Sequence, residues 1–145
     1  MFCVGHRTAH IVMGMDSGIL VIRIFGDTLA HDIKTAMRIA HSLGWLQPHS
    51  RSLVDIRRFS GSIDWRMLRD LTELTPWSRD RSSQSSHCAY LFGDRLRDWF
   101  LSIVAGIYPG AGHRKFEEEA KAMAWLHEIG MQQTTTKLAI GGDSG

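Results

Sequence analysis

Asp55, Arg57, Arg58, Ser60, Ser62 and Arg66 crowd into and just past the stretch SLVDIRRFSGSIDW, Ser52 to Trp65. Guanidinium groups meet carboxylate and phosphate oxygens two at a time, and the first amides of a helix are donors without a partner inside it. With Gly61 allowing the backbone close to a ligand, the loop suits a phosphate, a carboxylate or the acidic side chain of a partner. The same residues also have a plain structural use. Arginines in an exposed turn pair with Asp64, Asp70 or water and Ser62 caps a helix, contacts that contribute little on a surface. Asp55, at the end of an apolar run, is placed to bond loop amides. Phosphorylation of Ser60 or Ser62 would add about two negative charges near the positive end of a helix, with arginines in reach.

Other stretches imitate chemistry without supporting it. The terminal Gly142-Asp143-Ser144-Gly145 copies a serine-protease motif, but that nucleophile needs an oriented histidine, a buried aspartate and an oxyanion hole, none of which a chain end supplies. The glycines of Gly106 to Lys115 match neither P-loop nor dinucleotide spacing and more simply end a helix. The eight histidines show no helical pair with a third ligand, so no metal and no cofactor is expected. His87 and Cys88 are adjacent in a strand and point to opposite faces. Trp65, Trp99 and Trp125 fall on helical stripes and read as core.

These residues must be carried by elements that the hydrophobic spacing defines. Apolar runs from Ala9 to Met15 and Ile19 to Phe25 flank Asp16-Ser17-Gly18, which predicts a hairpin. Gly26-Asp27-Thr28 predicts a turn and an N-cap, followed by a helix marked by Ile33, Ala36, Met37, Ala40 and Leu43 and closed by Gly44. Ser52 to Ile56 predicts a buried parallel strand. Ser62 or Asp64 then caps a second helix with Trp65, Leu68, Leu71 and Leu74 inward, ending near Pro76. SRDRSSQSSH reads as an exposed loop. A strand from Cys88 to Phe92, a Gly93-Asp94 cap, and a third helix striped by Leu96, Trp99, Phe100, Ile103, Val104 and Ile107 follow. An edge strand from His113 to Phe116 and a last helix from Glu117 to Ile129, acidic in its first turn, complete the order.

A hairpin followed by helix and strand units predicts an α/β fold, a mixed sheet of about five strands flanked by about four helices. The 145 residues, 43% hydrophobic, suit one domain over residues 1–130, with 131–145 as a tail. No apolar run is long enough for a membrane helix. Cys3 and Cys88 are too few for a disulfide framework, so a soluble cytoplasmic protein is expected. A net charge of +2 implies no nucleic-acid surface, while 13 arginines among 17 basic residues bias any ligand towards anions.

The hairpin leading into GDTLAHDI, the central LVDIRRFSGSIDW and the closing HRKFEEEAKAMAWL resemble the SpoIIAA-like proteins, bacterial relatives of the STAS and SEC14 group, over roughly residues 9 to 127. The resemblance implies a compact α/β domain with a mixed sheet. STAS domains acting as anti-sigma-factor antagonists are phosphorylated on a serine within an Asp-Ser pair after a strand. Here that place holds Phe59-Ser60-Gly61-Ser62, and the Asp-Ser pairs, Asp16-Ser17 and Asp143-Ser144, lie elsewhere. The SEC14 side implies apolar ligands between helices and sheet, for which a chain this short leaves little room.

These observations together predict a non-enzymatic regulatory or binding module. Its expected ligand is a protein partner or a small apolar or anionic molecule, held by Asp55, Arg57, Arg58, Ser60, Ser62, Arg66 and Trp99. Any part of the third helix left uncovered by the sheet would serve as a homodimer surface or a ligand groove. The alternatives are a small lipid carrier related to SEC14 and a small-molecule enzyme using the Asp55 to Trp65 cleft, although spacing names no acid and base pair for the latter.

Overall fold

The computed structural model describes residues 1–47, 49–71, 86–92 and 98–143, with the side chains at 98, 99 and 134–143 outside that description. Phe2 and Val4 alternate with more exposed neighbours in β1 (Phe2–Gly5), a strand the sequence reading passed over. Four residues carry too short an alternation to stand out. β1 pairs antiparallel with β2 (His10–Asp16), which pairs antiparallel with β3 (Ile19–Gly26). Ser17 and Gly18 turn the hairpin with φ of 51° and 82°, the paired positive values that a tight two-residue turn requires.

α1 (Ala30–Ser42) turns Ala36, Met37 and Ala40 inward and gives way to Gly44 as expected. Its N-cap is Leu29, with no side-chain bond, just beyond the Gly26-Asp27-Thr28 stretch expected to supply the cap. Thr28 is instead buried, its hydroxyl donating to the carbonyls of His10 and Phe25 at 3.1 and 2.6 Å, so it ties the helix entrance to the hairpin. β4 (Arg51–Phe59) lies parallel to β3, and α2 (Trp65–Asp70) follows, capped by Asp64, whose carboxylate accepts from the Met67 amide at 3.0 Å. β5 (Ser86–Leu91) begins earlier than the expected Cys88. α3 (Asp98–Ile107), β6 (Ala111–Phe116) and α4 (Glu119–Asp143) complete the chain. The expectations concerning Leu74, Pro76, most of the loop before Cys88, Gly93-Asp94, Leu96 and the Trp99 side chain fall outside the described residues.

The mixed sheet has six strands in chain order, β1 to β6, parallel from β3 onward. Each parallel step needs a crossover, supplied in turn by α1, α2 and α3. All three pack on one face, where Ala36, Met67, Phe100 and Val104 meet Ile11, Ile22, Ile56 and Tyr90. α4 covers the other face, its Ala122 and Leu126 packing on Ile19, Leu53, Ala89 and Leu91.

α4 does not stop near Ile129 but continues through Gly130 to Asp143. Glycine weakens a helix interior by about 1 kcal/mol relative to alanine, which made Gly130 look like a terminus. The glycine serves a neighbour instead. The Arg51 guanidinium crosses the helix there, donating to the Leu126 carbonyl at 3.0 Å and occupying the space that a Cβ on residue 130 would need.

Candidate functional site

Side chains along β4 alternate between the two faces of the sheet. Ser52, Val54 and Ile56 face α1 to α3, whereas Leu53, Asp55 and Arg57 face α4. The expected site is therefore divided by the sheet itself.

On the α4 face, the parallel register sets Arg23 of β3 beside Asp55 of β4. Arg23 Nη1 lies 2.7 Å from Asp55 Oδ2 and 2.6 Å from Glu119 Oε1, at the start of α4. Arg57 completes the cluster: its Nε donates to Asp55 Oδ1 at 3.0 Å, its Nη2 to Oδ2 at 2.9 Å and its own amide to Oδ1 at 3.2 Å. Burial alone would raise the Asp55 carboxyl, but bonds from Arg57 and Arg23 outweigh it and hold the group below its ordinary range. Arg23 is raised chiefly by its bond to Glu119, and Arg57 by its bonds to Asp55. Two cations and two anions neutralise one another, so the cluster ties β3, β4 and α4 together and offers no net charge to an anion. Asp55 is expected at a strand end, bonding loop amides; β4 instead runs on to Phe59, and the amide that Asp55 accepts from, that of Arg57, belongs to the strand itself.

The register shifts between Arg23 and Phe25, so that Phe25 stands opposite Arg58. Such an irregularity re-aims side chains near a strand end. The Arg58 guanidinium lies 5.9 Å from the Phe25 ring centroid. Ser60 is exposed, and its amide donates to the Gly26 carbonyl at 2.9 Å. Gly61 does admit a close neighbour, but the neighbour is the Asp27 carboxylate, 2.6 Å from where a Cβ would stand. Of the amides at the start of α2, that of Met67 already meets Asp64, and Arg66 is exposed.

A cavity of about 150 Å³ lies between the sheet and α1, α2 and α3. Ile22, Ile24, Ser52, Val54 and Ile56 line its sheet side, Phe100, Val104 and Tyr108 the α3 side, and Phe59, Ser62, Ile63 and Asp64 the side of the β4–α2 loop. The chain does leave room for a cavity, but a small one, in keeping with the expectation that a chain this short has little space for an apolar ligand of the SEC14 kind. Among the expected site residues, Ser62 borders this cavity; Asp55 and Arg57 lie across the sheet from it, and the Trp99 side chain is outside the description. Of the α3 stripe, Phe100 and Val104 are buried and Ile103 is exposed.

The sequence reading missed Arg23 and Glu119. Arg23 is the one charge inside the otherwise apolar ILVIRIF, as Asp55 is inside LVDI, and opposite lone charges in neighbouring strands signal a pair. Glu119 shared its signal with Glu117 and Glu118.

Tyr90, at the cavity wall, bonds His113 Nδ1 through its hydroxyl at 2.8 Å, and His113 Nε2 lies 2.9 Å from the Tyr108 carbonyl. A carbonyl only accepts, so Nε2 carries the proton and Nδ1 accepts from Tyr90. Burial, helped by His87, lowers the His113 pKa below its ordinary 6.5 despite the Tyr108 bond. Between the depressed native value and 6.5 the unfolded chain binds more protons, so this group's contribution to stability is whole above 6.5 and falls with pH below it. Chemical denaturation of His113→Gln and the unaltered protein between pH 7.5 and pH 5 is expected to show a flatter decline for the variant; equal slopes would refute the assignment.

A family model described as SpoIIAA-like matches residues 19–127. Among solved structures, the chain is similar to an uncharacterised protein with a SpoIIAA-like fold from Shewanella loihica, at 18% identity and a TM-score of 0.56, covering 80% of this chain and 91% of that one. No curated protein matches.

Proposed function

The chain belongs to the SpoIIAA-like family, and on that footing we propose that it is a non-enzymatic binding module that takes a small apolar molecule into the cavity beneath α1, α2 and α3. The observation that carries the reading is the cavity itself, apolar on nearly every side and built on a rigid sheet, as small-molecule sites commonly are. Phe59 and Ile63 line it, while Arg58, Ser60, Ser62 and Arg66 on the same segment are exposed. Filling the cavity would thus be felt at a surface that a protein partner can touch, which gives the module a regulatory output. Free Cys3 and Cys88 suit a cytoplasmic setting, and no described helix is long and apolar enough to cross a membrane.

The size and chemistry of the cavity weigh against the other readings. A volume of about 150 Å³ is that of an engineered cavity that admits benzene, far short of a two-chain lipid. Burial pushes the Cys88 thiol up to about 12 and raises the Tyr90 and Tyr108 phenols above their ordinary value, so all three stay protonated at neutral pH and offer no nucleophile.

Titration with phenol or toluene, followed by NMR of the full chain, is expected to give saturable shifts at Ile22, Ile56 and Val104. Val54→Phe, which fills the cavity from its floor, should abolish them while leaving the protein folded. Shifts of equal size in the variant, or no saturable response to either probe, would overturn the reading.

A further inference from the structure

The Ser52 side chain is fully buried, and its Oγ has no hydrogen-bond partner among the described residues. Ser52 borders the cavity, while its strand neighbours Arg51 and Leu53 are directed to the opposite side, towards α4. Leaving a buried hydroxyl unpaired is costly, and sheet positions of this kind are ordinarily valine or isoleucine. Its β4 neighbours on the same face, Val54 and Ile56, follow that preference.

Apart from Ser62, which is exposed, the other polar side chains around the cavity are already engaged. Thr28 donates to the His10 and Phe25 carbonyls. Tyr90 is bonded to His113 and Tyr108 to the Leu68 carbonyl, while Asp64 accepts from the Met67 amide. Cys88, the register partner of Ser52 on β5, interacts with Tyr90. A resident water needs two to four polar partners, and the hydroxyl hydrogens of Thr28, Tyr90 and Tyr108 are committed elsewhere. No lysine, arginine or histidine is among the described lining residues, so nothing there offsets an anion's charge, and the one lining carboxylate, Asp64, is exposed and caps α2.

From this combination we infer that the cavity selects a neutral molecule of about benzene's size carrying one hydroxyl or carbonyl group, which completes the hydrogen bonding of Ser52. This inference rests on the cavity reading and adds the polar end of the ligand to it. Ser52 is then the specificity-determining residue: the apolar walls accept any ring or short chain that fits, and the hydroxyl favours the one with a matching group. A site built to bond a polar group discriminates against the analogue lacking it far more strongly than an apolar wall discriminates between sizes.

The test compares phenol, toluene and benzoate by calorimetry on the full chain and on Ser52→Ala. Phenol is expected to bind at least tenfold more tightly than toluene, and benzoate not to bind. Ser52→Ala removes no existing bond, so it should fold normally, lose the preference for phenol and keep its affinity for toluene. Equal binding of phenol and toluene, a preference that survives Ser52→Ala, or benzoate binding as tightly as phenol would overturn the inference and leave the cavity reading standing. Failure of phenol and toluene alike to bind would remove both.

Discussion

Gly26→Ala is expected to destabilise the protein by about 3 kcal/mol, the sum of a strained left-handed residue and a steric displacement. Gly26 ends β3 with φ of 66°, and a Cβ there would collide with the Thr8 carbonyl, a backbone atom that cannot swing aside. The collision would force apart the β1–β2 connection and the end of β3, where the Gly26 carbonyl accepts from Ser60. For a chain of this size the midpoint of thermal unfolding should fall by roughly 10 °C. Gly106→Ala supplies the control, because a Cβ at that exposed position in α3 meets nothing within 4 Å. Removing glycine from a helix should stabilise by about 0.5–1 kcal/mol. Calorimetric melting of both variants checks the pair, and a loss at Gly26 no larger than the gain at Gly106 would show that the turn yields easily.

Asp55→Ala is expected to cost about 2 kcal/mol at neutral pH, less than the 3–5 typical of breaking a fully buried pair. The discount follows from exposure: the Arg23 and Arg57 side chains are 31% and 41% exposed, so water partly compensates them, and Glu119 remains beside both. The loss should depend on pH in a defined sense. Asp55 has a native pKa below its ordinary 3.8, so the unfolded chain takes up its proton first on acidification. Its stabilisation is therefore complete above about 3.8 and disappears as pH falls through the depressed native value. The gap between variant and unaltered protein, measured by urea denaturation, should narrow below that pH; a constant gap would show that the carboxylate acts through shape and not charge.

Local patterns carried the fold further than the site. The Ile19 to Phe25 and Ser52 to Ile56 runs, the Asp64 cap and the Phe100, Val104 stripe each announce themselves within a few residues, because periodicity and capping are local. Pairing across strands is not. Arg57 looked available to an anion until the fold brought Asp55, Arg23 and Glu119 around it, two of them from distant parts of the chain. The cavity was hidden for a related reason: a void is what separate helices fail to fill, and neither Val54 nor Val104 carries any mark of it. Ser52 was legible in part, as the one hydroxyl in an apolar strand. Its placement at the beginning of the run made it look like a boundary. Gly130 misled because a helix-ending residue also makes room for a crossing side chain, and Arg51 lies 79 residues earlier in the sequence.

α4 has a role that the three helices across the sheet share among themselves. Among the described residues it alone roofs Leu53, Ala89 and Leu91. The protein thus has two interiors of unequal redundancy, and the one across the sheet from the cavity has a single guard. A chain cut short after Glu118 would bare a flat aliphatic strip, which two copies would hide by stacking back to back.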